Sequence, residues 1–516
     1  MALLLGIDAG TTSLKTGVFD DMGAQLAVAG EEYALHTPDA LRAELDPEAY
    51  WRALRSTVAR ALERAGARPA DVTALAVSSQ GETVIPVGRD DSVNGPALVW
   101  LDNRAGDEAL ELARRFDGPT VYAATGVPAI VPTWTACKLL WWKRHAPGLF
   151  HSAARFLLVE DFLLQRLTGR YVTEGGVQCT SLLYDIRDHR WWQPMLDYLE
   201  LTPDRLPELA TPGAVVGTLR AEATTALGLP RSVAVVAGGM DQGAGAVGVG
   251  NIRPGIVSES TGGALTLQAS VDRPDGDPSR QTPVYVHSAP GRYLYCPVCP
   301  TGGMALTWFR DQFGEREVEL ARRQGRSAYE LLTDLAATVP PAAEGLTMLP
   351  HLMGAFSPEY DPNARGVFFG FTLRHQKAHF ARAILEAVAF MLRRNLELLA
   401  TAGASTAEVH SHGGGARSRL WNQIKADVCN LPVVTMEGED AAIRGDAILA
   451  GVATGVFADL DEACAAMVVA RERFAPDPTT REAYEAAYAR YRALFEALRP
   501  IFATAAPADG GQQARQ

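Results

Sequence analysis

The sequence predicts an α/β protein of two related domains facing one cleft. Three observations lead to that fold class. The chain has 516 residues, enough for two domains that each bury a core. A strand, a small-residue turn and a second strand at the start (LLLGID, AGTTS, LKTGVFD) are echoed after residue 250 by GIVSES, TGG and ALTLQASV. Asp8 and Asp241 each follow an apolar strand candidate, the place from which a sheet presents side chains at the mouth of a cleft.

After the two opening strands, DMG turns the chain into a third, AQLAVA, because glycine and aspartate tolerate the turn geometry. A helix is predicted from Pro47 to Ala65, where Tyr50, Leu54, Val58 and Leu62 recur on one face. The apolar run VTALAVSS then delivers Gln80, Gly81 and Glu82 to a strand end, and strands and helices continue through Leu98 to Asp102 and around Leu139 and Phe156. SVAVVAG is a further strand, ending just before Gly239, Met240 and Asp241. The restart of the pattern after GAGAVGVG divides the chain into domains 1–250 and 251–502. In the second, an amphipathic helix from about His379 to Leu399 precedes a strand into HGGGARS, a helix through Trp421 to Val428, the strand LPVVTM and a helix around Ala441 to Ala453. A terminal helix from Thr480 to about Leu498 carries Tyr484, Tyr488, Tyr491 and Phe495 as one stripe, and the small, polar residues 503–516 read as a flexible tail.

Hydrophobic residues make up 47%, charged residues 21%, and the net charge is -12, which argues for a soluble protein and against an extended nucleic-acid surface. The apolar opening is interrupted by Asp8 and lacks a basic leader, so it reads as a buried strand rather than a secretory signal. No apolar stretch is long enough to span a bilayer, and a cytoplasmic location without membrane partners is expected. Six cysteines do not suggest a disulfide scaffold in so long a chain; Cys296 and Cys299 form a lone CPVC, read as structural rather than as a metal or redox pair.

Some segments suit phosphate. The turn at Gly10, Thr11 and Thr12, with Lys15 nearby, is small enough for close phosphate approach and rich in donors, although a tight strand connection needs the same residues. Gly262-Gly263 and Gly302-Gly303 carry the same two readings. More informative is a strand ending in Gly413, Gly414 and Gly415 before a helix, because it brings a nucleotide against backbone N–H groups at a positive helix end.

Taken together, GIDAGTTSLKTGVFD, SSQGET, ALVWLDNR, AGGMDQGAGAVGVG, ESTGG, TGGMALTWFR, DPNARGVFFGF, HFARAILEAV and HGGGARSRLWNQIKAD resemble, in content and order, the FGGY family of carbohydrate kinases. The resemblance spans nearly all of both domains. It implies duplicated actin-like, ribonuclease-H-like ATPase domains with an interdomain catalytic cleft, and ATP- and Mg²⁺-dependent phosphorylation of a small sugar or polyol. It also implies that Asp241 is the general base, and that Asp8, with Asp241 beside it, holds the Mg²⁺. Thr11, Thr12 and Lys15 resemble one phosphate-binding hairpin, with Thr261 and Gly262 its partner across the cleft. Gly302, Gly303, Gly413, Gly414 and Gly415 carry over to adenosine and the outer phosphates, and Ser418 to either the adenine side or a helix cap. Arg382 and Glu386, four residues apart on a helix, read as a structural pair.

The same resemblance places Gln80, Gly81, Glu82, Trp100 and Gln242 around the acceptor, where hydroxyls need paired polar contacts and a C–H face can rest on an aromatic ring. Asp102 and Arg104 read as an ion pair fixing the loop. Xylulokinases commonly have Gln-Met-His where this chain has Gln80-Gly81-Glu82. Glycerol kinases are similar at Glu82, Trp100 and Asp241-Gln242, but have Arg before the glutamate and a tyrosine near the position of Thr133. Losing a cation and a phenol weakens binding of a small triol and frees space, so the expected acceptor is a pentulose such as D-xylulose, with glycerol, erythritol and other ketoses or polyols as alternatives. A non-catalytic actin-like ATP-binding protein, or a sugar-binding protein that has lost transfer, would share the turns without needing the whole set. The resemblance admits a homodimer, for which no apolar stripe marks an interface.

Overall fold

The apolar runs form two main β-sheets of matching topology in the computed structural model, which describes residues 2–275, 277–438 and 440–504. In the first half, β1 (Leu3–Ala9), β2 (Ser13–Asp20) and β3 (Gln25–Glu32) run antiparallel. Helix α1 (Glu48–Ala65) returns the chain from the sheet edge to β4 (Val72–Ser79), which lies parallel to β1, and buries Tyr50, Leu54, Val58 and Leu62. After α2 (Thr135–His145) and α3 (Val159–Thr168), strands β5 (Val215–Thr218) and β6 (Ala234–Met240) complete the order β5-β6-β4-β1-β2-β3. Helix α4 (Asp241–Gly248) follows β6 directly.

The second half repeats this plan with β7 (Gly255–Thr261), β8 (Leu265–Val271), β9 (Val284–Val286), β10 (Tyr293–Tyr295) and β11 (Val298–Cys299). Helix α5 (Lys377–Thr401) leads to β12 (Thr406–His412), α6 (Arg419–Cys429), β13 (Val433–Met436), α7 (Ala441–Ala453), β14 (Ala470–Phe474) and α8 (Arg481–Thr504). The sheet order is β9-β10-β8-β7-β12-β13-β14, with β11 paired to β8. An antiparallel edge strand, two parallel steps and two antiparallel steps occur in the same sequence in both sheets.

Helices α4 and α7 follow equivalent strands and cross where the halves meet. A Cβ at Gly248 would collide with the Ala441 carbonyl, and one at Gly445 with the Ala244 carbonyl, so the helices approach at backbone distance. α7 also covers the first sheet, where Ile443, Ala447 and Ile448 share a core with Leu4, Ala74, Ala76 and Val236. Gly445→Ala is expected to force this crossing apart and cost about 1–3 kcal/mol, read as a lower urea midpoint with an unchanged m-value.

Strand in the stretch through Leu98 to Asp102 is limited to Ala97–Leu98; Asp102 accepts from the Ala43 N–H at 2.8 Å and pairs with Arg104, the ion pair expected to fix the loop. Two sequence expectations are corrected. The terminal helix runs past Leu498 and through Pro500 to Thr504, because Phe502 packs on Phe495 with ring centroids 6.1 Å apart. Ala503 and Thr504 therefore belong to that helix rather than to the expected tail, and residues 505–516 lie outside the described residues. Cys296 and Cys299 are buried and unbonded to each other; the Cys299 thiol donates to the Ser357 carbonyl at 3.3 Å, and burial pushes its pKa up to about 12. Among the described residues, no helix is long and apolar enough to cross a membrane.

Candidate active site

Strand pairing brings the two carboxylates together. Ser78 on β4 is in register with Asp8 on one side and with Gly239, two residues before Asp241, on the other. Asp8 Oδ1 is buried without a hydrogen-bond partner, and burial, reinforced by the charge of Asp241, lifts its carboxyl to about 7. Burial lifts Asp241 to about 6, opposed by hydrogen bonds from Gln242. Such a carboxylate is ionised at neutral pH yet basic enough to receive a proton late in a transfer. The unpartnered oxygen of Asp8, close to the charge of Asp241, fits a hard, oxygen-seeking cation. Among the described residues no group of three or more His, Cys, Asp or Glu could hold a metal ion, so phosphate and water would complete the shell of a cation here.

Past Lys15, the cross-strand neighbour of Asp8, a cavity of about 230 Å³ is walled by Lys15, Ser411, His412, Gly413, Gly414 and Arg444, among others. Lys15 crosses between the halves to an ion pair with Asp440 at the start of α7. Thr11 Oγ1 accepts a hydrogen bond from the Trp100 indole at 2.8 Å, and Thr12 is exposed. Neither threonine is part of the cavity wall, nor are Thr261 and Gly262. The Thr261 hydroxyl is spent internally: it donates to Glu259 Oε2 at 2.8 Å and accepts from Lys425 Nζ at 3.0 Å. Lys425 and Glu259 form a fully buried ion pair at 2.6 Å, joined by Ser411.

The Gly302 and Gly303 amides donate to the Gly263 and Gly262 carbonyls at 2.7 and 2.8 Å, so these N–H groups brace the β7–β8 turn. Gly415 is buried against Thr261, leaving Gly413 and Gly414 at the cavity. Ser418 accepts from the Trp421 N–H at 3.2 Å and so caps α6.

On the acceptor side, Gln80 donates to the Tyr50 hydroxyl at 2.7 Å while its carbonyl oxygen is buried without a partner. A Cβ at Gly81 would lie 2.6 Å from Thr180 Oγ1, which also accepts the Glu82 N–H at 3.1 Å. Any larger residue at 81 would displace Thr180. Burial raises the Glu82 carboxyl and lowers the Lys138 ammonium, each opposed by the other's charge. Trp100 is 37% exposed and lies outside the core, its indole N–H engaged by Thr11. Gln242 Oε1 accepts from Gln268 Nε2 at 2.6 Å, and its own amide N–H₂ donates to the Asp241 carboxylate. Arg382 binds Glu386 at 2.8 Å and the Tyr484 hydroxyl at 2.6 Å inside the second core, a structural pair remote from this chemistry.

The profile of the FGGY family of carbohydrate kinases matches its N-terminal domain to residues 3–248 and its C-terminal domain to residues 261–454. The chain belongs to the FGGY family of carbohydrate kinases. Within the family it is 30% identical to a xylulose kinase of Escherichia coli over 504 residues, covering 97% of this chain and 100% of that one. It is 29% identical to a gluconokinase of Bacillus licheniformis over 482 residues, 93% of each. A solved, ligand-bound xylulose kinase from Lactobacillus acidophilus superposes with a TM-score of 0.87 at 26% identity, over 98% of this chain and 100% of that one. This FGGY kinase is thus an ATP-using sugar kinase with the two-domain, actin-like α/β fold and a cleft between domains.

Sequence reasoning did not single out three buried charged residues that pack behind these segments. Lys138 sits in the apolar run TACKLLWW, and Lys425 in a helix whose register gives no hint of a buried carboxylate partner. Asp446, on α7, is wholly buried; it accepts from the Ser78 hydroxyl at 2.8 Å, and burial raises its carboxyl well above the usual range. A charged residue inside an apolar stripe was the one available signal for each.

Proposed function

We propose that this kinase transfers the γ-phosphate of ATP to a hydroxyl of a pentulose such as D-xylulose, with residues 1–250 chiefly holding the acceptor and base and residues 251–502 the nucleotide. The observation that carries this reading is the charge around Asp241. The Glu82 carboxyl is close enough to Asp241 to feel its charge, and the ammonium beside Glu82, that of Lys138, is directed at backbone carbonyls. A neutral polyhydroxy chain suits that setting, because its hydroxyls donate to carboxylates. An aldonate, of the kind the name of the gluconokinase relative implies, would bring a carboxylate against the Asp241 charge and a buried carboxyl at Glu82.

In the reaction, Asp241 accepts a hydrogen bond from the acceptor hydroxyl and orients it in line with the γ-phosphorus. The hydroxyl oxygen forms its bond to phosphorus as the bond to the bridging oxygen of ADP breaks, and the proton passes late to the Asp241 carboxylate. Mg²⁺, held by Asp8 and Asp241, would neutralise charge on the phosphates. Gly413 and Gly414 supply the close backbone approach at the nucleotide, and closure of the cleft excludes water.

The test is Mg²⁺-dependent ADP production across D-xylulose, D-gluconate, glycerol and erythritol, with mass detection of the product. D-Xylulose is expected to give a kcat/KM at least about tenfold above the others, the scale set by a site that pairs or leaves unpaired a substrate hydroxyl. Gluconate or glycerol leading the series would overturn the pentulose reading, and ATP binding with no phosphorylated product would favour a non-catalytic protein.

A further inference from the structure

Lys138 lies one turn into α2 and is fully buried. Its ammonium donates to the carbonyl oxygens of Val99 at 2.9 Å, Glu82 at 3.1 Å and, at the limit of reach, Leu98 at 3.5 Å. An ammonium has three donors, and here three carbonyls surround it. Thr135, one turn earlier on the same helix, donates its hydroxyl to the same Glu82 carbonyl at 3.2 Å. The Glu82 N–H is held on its other side by Thr180. Glu82 adopts a φ of 55°, a left-handed conformation that a glutamate keeps only where its surroundings over-determine it.

The other end of the clamp matters equally. Leu98 and Val99 immediately precede Trp100, whose N–H donates to Thr83 Oγ1 at 3.1 Å and whose indole reaches Thr11. One buried cation therefore ties together the two segments that present Glu82 and Trp100. An aliphatic residue would fill this helix face without the desolvation that an ammonium brings, so packing alone does not account for a lysine here.

We propose that Lys138 is a positioning residue for acceptor recognition, setting Glu82 and Trp100 at the spacing that discriminates among sugars and polyols. The proposal rests on the acceptor reading given above. Lys138→Met is expected to raise the KM of the preferred sugar about tenfold or more, leave the KM of ATP within about twofold, and narrow the preference among acceptors, the pattern of lost acceptor binding alone. Thr135→Val, which removes one bond to the same carbonyl, is expected to give a smaller rise in the same direction; it carries the test if Lys138→Met does not fold, as judged by circular dichroism. Glu82→Gln separates the two ideas. If that variant leaves the sugar KM unchanged, the acceptor reading fails. If it raises the sugar KM while folded Lys138→Met, or Thr135→Val, does not, or if both KM values rise together, the assignment of Lys138 is overturned.

Discussion

Asp241→Asn is expected to lower kcat by about 10³-fold, within the range for loss of a positioned general base, with the KM of ATP little changed. The pH profile gives a second readout. Because burial holds the Asp241 carboxyl at about 6, wild-type kcat/KM should rise with pH through about 6 as the carboxylate forms and then level off. The residual activity of the asparagine variant should lose that limb. Stability should move the opposite way. The folded value lies above the ordinary carboxylate range, so this group's contribution is fully present below its unfolded value and is lost as pH rises through the folded one. At neutral pH the wild type therefore carries a desolvated charge that the variant lacks, and the inactive protein should melt higher. An active Asp241→Asn enzyme with an unchanged acid limb would remove Asp241 from the role of base.

Lys425→Met is expected to destabilise the protein by about 3–5 kcal/mol, the cost of leaving a buried carboxylate without its partner. Glu259, Thr261 and Ser411 would then share a site with no cation. The double variant Lys425→Met/Glu259→Gln should recover most of that loss, because both charges go together. Urea denaturation of the three proteins checks this. Similar losses in the single and double variants would show that packing, not the ion pair, dominates there. Because Thr261 stands at the end of β7 and Ser411 lies on β12, two residues before Gly413, the pair also links the turns that follow these strands.

Local pattern was legible where local physics decides the outcome. The spacing of Tyr50, Leu54, Val58 and Leu62 describes α1, and the limits of α7 at Ala441 and Ala453 follow from the apolar periodicity of that segment. The partner of α7 was not legible, because Ile443 and Ala447 say that a face is buried but not which sheet buries it. Glycines were ambiguous for a related reason: close approach to a phosphate and close approach to a carbonyl need the same missing side chain, and Gly302 and Gly303 turn out to serve the second. Lys138 and Lys425 were hidden because their partners are distant in the chain, up to 166 residues away. The order of the family motifs, rather than any one motif, carried the family resemblance.

The crossing of α7 onto the first sheet makes the two halves inseparable. Cut after residue 250, the first half would present Leu4, Ala74, Ala76 and Val236 to water, a raw surface where its own sequence supplies no lid. The two halves share a plan yet form one object: a half borrowed from a relative must arrive with a helix cut to fit its new neighbour, down to the glycines that let the backbones touch.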